Sequence, residues 1–422
     1  MLLVLKVAPV SLPAPCERDA NHKPASRADR ALKLTMSATR YRNSTAGQSR
    51  ELVLVICALL LVALFSLTGI LTRAFHKKQA ALAAEWYAKG NVCLAANSPR
   101  EALDDYRRAL IFDPENEPYQ LHLAQALAQL GRQEEARAYL LNLLSDRPGD
   151  GEVNFELARL AAETGNIDDA VRFYHAAVYG AWESDPVAAQ LRARLELSQF
   201  LVRHGERTQA EAELMSLAAN IPDRDAQLHT QAGDLFQSMG DLSGALSEYR
   251  FALKAVPENL TARIGAGMVS FKLGNYSKAI EDLEIAAKAD PENKTVATTL
   301  ETARLAIESD PFSPRLSVRE KAQRVSTALS RANQRADQCS ASSKNPNAAT
   351  LAALAAQAKS QRESIWSERN LLSHPDQLDP AMEMVFKIET AANQTCGEPS
   401  SFDVALQLIE RKLRAMQEGA PE

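Results

Sequence analysis

Apolar and polar positions alternate along this chain in three regimes. From Leu52 to Leu71 the run LVLVICALLLVALFSLTGIL carries no charge, and fourteen of its twenty residues are Leu, Val, Ile or Phe. At about 1.5 Å of rise per residue, a helix of that length matches a hydrocarbon layer about 30 Å thick. No polar face interrupts it, as one would in an amphipathic core helix. The run predicts a transmembrane helix over 51–73, with membrane contact through 52–71. A cleaved signal peptide is the competing reading. Its apolar core usually spans about 7–15 residues, and only Thr72-Arg73-Ala74 offers a cleavage site here, a poor one.

The second regime is a phrase that returns. REALDDYRRALIFDPEN ends at Asn116, SGALSEYRFALKAVPEN at Asn259 and SKAIEDLEIAAKADPEN at Asn293. The last two ends are 34 residues apart and the first two 143, which is four such periods with seven residues inserted. Frames begin at Ala83, Glu117, Gly151, Leu191, Ala226 and Leu260. The eighth place is always small: Gly90, Ala124, Ala158, Ser198, Gly233 and Gly267. The midpoint holds Asn97 and then Gly131, Gly165, Gly205, Gly240 and Gly274, residues suited to a left-handed backbone that ends a first helix. An alanine recurs late in each frame, from Ala102 to Ala279, followed by one large residue such as Tyr106 or Tyr249 to fill the gap between units. Proline closes five frames, where it stops the second helix; Trp182 stands there in the third.

Trp86, Gly90, Ala102, Ala109 and Pro114 of the first frame carry the resemblance: residues 83–293 are similar to tetratricopeptide repeats. That implies an all-α chain, a right-handed α-solenoid of about six helix pairs, more than the roughly three such a stack needs. The next segment, 294–310, has Val296, Leu300 and Ile307 on one stripe and reads as the solvent-facing cap of the array. In proteins of this kind the first helices line a concave groove that holds a peptide or partner helix. The ninth places, Asn91, Gln125, Arg159, Gln199, Asp234 and Met268, then form a polar ladder. One turn earlier Tyr87, Leu121, Phe155, Leu195, Thr230 and Ile264 form an apolar-aromatic one. Such a pair suits an extended peptide, with backbone held by the polar groups and alternate side chains by the others. The carboxylate-clamp subgroup, which grips a chain terminus, needs a lysine where Tyr87 stands, so chaperone tails are not the expected ligand.

The third regime begins at SDPFSPR (309–315), which breaks the rhythm. Helical stretches follow near 316–339, 348–372, 380–396 and 401–416, in a small up-down bundle over 316–417. Val318, Ala322, Val325, Leu329, Ala332, Ala336 and Cys339 form one seam on the first. Val385, Ile388, Ala392 and Cys396 form another on the third. In an up-down-up order these two helices run parallel, which brings Cys339 and Cys396 to the same end. A disulfide is the expected state outside the cytoplasm, two buried thiols the alternative.

Composition narrows the function. Residues 1–50 hold nine Lys/Arg against three Asp/Glu, a basic tail expected to be disordered, while the whole chain carries a net charge of −5. An acidic body without a basic stripe argues against nucleic acid. A lipoprotein signal ending at Cys16 is disfavoured by Pro15, and Met36 is an alternative start. No phosphate loop, HExxH, GxSxG or CxxC is present, and Gly265-Ala266-Gly267 lies inside a repeat helix. His122, His175, His204 and His229 fall in different frames without a shared ligand spacing, so neither metal nor cofactor is expected. The expected function is a membrane-anchored scaffold that binds a protein or peptide, not an enzyme. An apocytochrome-presenting adaptor of the cytochrome c biogenesis type is one variant, and a site in the 316–416 bundle is the enzymatic alternative. Basic residues flank the apolar run almost equally (Lys33, Arg40, Arg42, Arg50 before; Arg73, Lys77, Lys78, Lys89 after). The wholly basic tail and the cysteine pair tip the expectation toward tail inside and repeats in an extracytoplasmic, periplasm-like space.

Overall fold

A computed structural model describes residues 48–342, 345–396 and 398–417. The basic tail, Cys16 and Met36 lie outside the described residues. The fold is all-α, and the chain divides between Gln190 and Leu191 into two compact units.

In the first unit, α1 (Gln48–Ala95) is followed by α2 (Pro99–Phe112), α3 (Glu117–Gln129), α4 (Gln133–Asp146), α5 (Gly151–Glu163) and α6 (Ile167–Val178). The apolar run and the first repeat helix, expected as separate elements, are one uninterrupted helix. Residues 72–82 explain this: TRAFHKKQAAL is rich in good helix formers and holds neither Gly nor Pro. Along 52–71 every side chain is exposed. From Ala83 the helix buries one face against α2, where Ala102, Tyr106 and Ala109 are sealed. In the third pair, where proline is missing, Trp182 donates from Nε1 to the Ala177 carbonyl at 2.9 Å, and Gly151 bonds Ala181 in an isolated bridge.

Helix α7 (Pro186–His204) spans the division. The second unit continues with α8 (Arg207–Ala218), α9 (Ala226–Met239), α10 (Leu242–Ala255), α11 (Leu260–Lys272), α12 (Tyr276–Ala289) and α13 (Lys294–Ser309). All six frame midpoints adopt positive φ, from 57° at Asn97 to 85° at Gly240, so a left-handed residue, Asn once and Gly five times, turns each hairpin. Side chains of Asn116, Asp150, Asp225, Asn259 and Asn293 accept from backbone amides in the first turn of the helices they precede. Tyr249 is wedged between its own repeat and the next. A Cβ added at Gly233 would come within 2.8 Å of its ring, and one added at Gly265 within 2.6 Å. Gly265→Ala is therefore expected to destabilise this unit by about 1–3 kcal/mol through overpacking. An open helix position would instead gain about 1 kcal/mol from the same change. A shift of the urea midpoint in either direction decides between them.

The C-terminal helices are α14 (Val318–Ser342), α15 (Ala348–Ser364), α16 (Glu368–Ser373), α17 (Leu378–Thr395) and α18 (Ser401–Gln417). The single helix expected over 348–372 is broken, because Ser367 caps a new start and Asn370 donates back to the Ser364 carbonyl. α14 and α17 pack side by side around Val325, Leu329, Ala332, Val385 and Ile388, and Cys339 is bonded to Cys396 with Cα atoms 5.6 Å apart. The outer face of α13 differs from expectation. Instead of facing solvent, it is covered by α18, which returns from the far end of the chain. Ser401 donates to Glu301 at 2.9 Å and Lys412 pairs with Asp310 at 3.3 Å. The last helix of the array thus takes its partner from about a hundred residues downstream, because the Phe402, Leu406 and Ile409 stripe has an apolar surface to bury and α14 is occupied by α17.

Candidate partner-binding face

The expected groove residues separate by burial. In the first unit Leu121 and Phe155 lie inside the packed array, Phe155 at 3% exposure with its ring edge-on to Tyr174 and Trp182. Tyr87, Asn91 and Gln125 are half-buried and Arg159 is exposed. In the second unit Leu195 and Thr230 are buried, Gln199, Ile264 and Met268 half-buried, and Asp234 exposed. The apolar ladder is thus mostly interior: Leu121, Phe155, Leu195 and Thr230 stabilise the stack and offer little to a ligand. Their places in the frame sit where neighbouring first helices converge, which a single-helix periodicity does not reveal.

The polar ladder has internal duties too. Asn91 accepts from the Tyr106 hydroxyl at 2.8 Å, and Asp234 accepts from that of Tyr249 at 2.7 Å. In both repeats the ninth place satisfies the buried phenol that fills the seam, a role the sequence pattern concealed. Gln125 donates to Glu156 at 3.1 Å, and Arg159 lies 3.7 Å from the same carboxylate and over the Phe155 ring.

Four aromatic rings gather on the first two repeats. Tyr87 packs against Tyr119 with ring centroids 4.5 Å apart and planes tilted by 33°, and meets His122 edge-on at 5.2 Å, with Tyr106 sealed behind them. The Tyr87 hydroxyl is 3.2 Å from His122 Nδ1, which also faces the Pro118 carbonyl at 2.9 Å. Burial raises the Tyr119 phenol, and Asp113 adds to it; burial likewise raises that of Tyr87, opposed by a hydrogen bond with Asn91 and helped by the charge of Glu152 at the start of α5. Tyr119, His122, Asp113 and Glu152 were missed by sequence reasoning. Tyr119 and His122 stand two places and one place from the ladder residue Leu121, and these two rings three residues apart on α3 were the available signal; Asp113 and Glu152 lie farther from the ladder positions.

In the second unit the fourth place of each frame carries a base paired with an acid nineteen residues on. These are Arg194 with Glu213 at 3.3 Å, His229 with Glu248 at 2.7 Å and Arg263 with Asp282 at 3.2 Å. The first frame has Trp86 in that place. His229 and Glu248 are almost fully buried, with His229 stacked on Phe251, so this histidine belongs to the interior.

Sequence models of one family, described as tetratricopeptide repeat, match residues 118–160 and 230–294. The chain carries tetratricopeptide repeats. No curated protein sequence matches it. Among solved structures, the chain is similar to YrrB, described as a TPR protein with an unusual peptide-binding site. That likeness has 18% identity over 46% of this chain and 95% of that one, with a TM-score of 0.37. PilW, described as a type IV pilus biogenesis factor, matches at 19% over 52% and 98%, with a TM-score of 0.41. PilF of Pseudomonas aeruginosa matches at 12% over 52% and 97%, also at 0.41.

Proposed function

We propose that this protein is a membrane-anchored adaptor whose tetratricopeptide repeats hold an extended segment of a partner protein. The observation that carries this reading is α1 itself. Its apolar stretch is wholly exposed and needs a cover, for which a bilayer is the natural match in length. The same helix continues, without a flexible joint, into Tyr87 and Asn91 of the first repeat. At 1.5 Å per residue those side chains lie about 24–30 Å beyond Leu71 along the axis. The partner segment is therefore one held close to a membrane surface.

The reading extends to topology and setting. The Cys339–Cys396 bond favours an oxidising compartment, which would put the basic tail inside and the repeats outside, on assembly work in a cell envelope. Presentation of an apocytochrome to its partners is one such task.

A photo-cross-linking residue at Asn91, Gln125 or Arg159 in intact cells is expected to trap the same discrete protein bands. Ile111 and Tyr139, exposed on second helices, serve as controls. Bands that are equal at both sets of positions would move the binding surface elsewhere. Protease shaving of spheroplasts alongside is expected to digest the repeats, and full protection would place them in the cytoplasm.

A further inference from the structure

The exposed length of α1 does not end with its apolar run. Ser66, Thr68 and Thr72 turn their hydroxyls back onto the Val62, Phe65 and Thr68 carbonyls at 2.8, 2.9 and 2.8 Å, so that stretch leaves no hydroxyl seeking water. Arg73 is the first charged group beyond it, followed by Lys77 and Lys78, and no Asp or Glu occurs from Leu52 to Ala84. Residues 71–78 are exposed on every side of the helix. Arg73, Lys77 and Lys78 have no ion-pair or hydrogen-bond partner among the described residues. The next cation along the helix, Lys89, is by contrast paired with Glu85 at 2.9 Å and lies over the Trp86 ring. Arg73 and Lys77, one turn apart, share a face, and Lys78 is turned about 100° from Lys77, so the three cations form a collar. Arg73 lies about 3 Å and Lys78 about 10 Å beyond Leu71 along the axis, where the polar zone of a leaflet is about 5–8 Å deep. Helical side chains lean toward the helix N-terminus, here toward the bilayer, so the lysine stems point back into that zone.

We infer that this collar binds the anionic phosphodiester headgroups of the leaflet on the repeats' side, through Arg73, Lys77 and Lys78. The inference rests on the anchor reading above and adds the chemistry of the lipid; it holds for either orientation of the chain. Three unpaired cations without a neighbouring acid call for net negative charge, which a phosphoglycerol headgroup carries and a phosphocholine, with its own ammonium, does not. Because α1 runs without a joint into Tyr87 and Asn91, headgroups held at the collar also fix the height of the first repeat above the membrane.

The test titrates the full chain, purified in mild detergent, with phosphatidylglycerol or phosphatidylcholine of the same acyl chains and counts bound lipids by native mass spectrometry. The parent is expected to prefer phosphatidylglycerol. Each of Arg73→Gln, Lys77→Gln and Lys78→Gln should weaken that lipid about 5-fold, and the triple variant should lose most of the preference. A control with Arg100→Gln, Lys254→Gln and Lys288→Gln removes the same charge from exposed sites on the repeats and should bind as the parent does. All six side chains are exposed, and an unchanged circular dichroism spectrum guards against loss of fold. Equal affinity for the two lipids, or a preference that collar and control variants lose alike, would overturn the inference and leave the anchor standing. Displacement of the bound lipid by an acidic decapeptide would assign the collar to a partner segment instead. Flotation with vesicles of either lipid tests the anchor separately, and a chain that floats with neither would overturn both readings.

Discussion

Arg335→Ala is expected to cost the C-terminal helices about 3–5 kcal/mol. Arg335 of α14 reaches Glu389 on α17 in a close ion pair, Asn393 of the same helix at 2.9 Å, and Asp403 of α18 at 3.4 Å. Glu389 is 1% exposed, and its Oε1 has no hydrogen-bond partner. Asp403 also caps α18, accepting from the Ser400 amide and hydroxyl at 2.8 Å. Removing the guanidinium leaves two carboxylates buried without a counter-charge, which is far costlier than losing a surface pair.

The same triad sets a pH dependence. Burial pushes the Glu389 carboxyl up to about 7, Asp403 adds to the shift, and Arg335 opposes it without cancelling it. One arginine between two carboxylates leaves the ionised cluster with excess negative charge in a poorly polarisable setting. The sign follows from linkage. The folded chain holds this proton up to a higher pH than the unfolded chain does, so stability falls as pH rises from about 4.5 to 7. The loss is about 3 kcal/mol at full ionisation. Glu389→Gln should flatten that slope. Arg335→Ala should be more damaging at pH 8 than at pH 5, where the Glu389 carboxyl is protonated. Chemical denaturation followed at several pH values reads all three, and a stability that rises between pH 5 and 7 in the parent would refute the assignment.

Cys339→Ser with Cys396→Ser is expected to cost a comparable amount. The bond closes a loop spanning 57 residues, for which the loop-entropy account gives about 4 kcal/mol. It lies one turn beyond Arg335 on α14 and about two turns beyond Glu389 on α17, so it clamps the end of the bundle where the buried charge sits. Reduction should therefore lower the unfolding midpoint of the C-terminal helices more at pH 8 than at pH 5. Limited proteolysis with and without reductant is the measurement. Cleavage that appears in 345–377 only after reduction is the expected pattern, and identical digests would show that the bond adds nothing to the fold.

How far these features were legible before the fold was known depends on the range of the interaction. The helix pairs were legible because their signals are local. A midpoint residue at Asn97 or Gly240 must take a left-handed backbone, a small residue at Gly233 must admit Tyr249, and both requirements repeat every turn of the array. The break between α15 and α16 was concealed because Ser367 and Asn370 are as common on an exposed helix as at a helix start. The partner-facing ladder was half legible. The frame identifies which side a residue of one helix faces. It does not say how closely the next first helix approaches, and that distance decides whether Phe155 is surface or core.

From sequence alone came the all-α class, the period and number of helix pairs, the apolar helix ahead of them and the cysteine seam, because each depends on spacing within one or two helices. Only the tertiary structure decided that the apolar helix runs unbroken into the first repeat and that α18 covers α13. It alone brought Tyr87, Tyr119 and His122 together, and placed Arg335 between two carboxylates. These are contacts between residues of no fixed separation along the chain. Their free energy comes from which surfaces remain uncovered once every local element has formed, and that is a property of the packed whole.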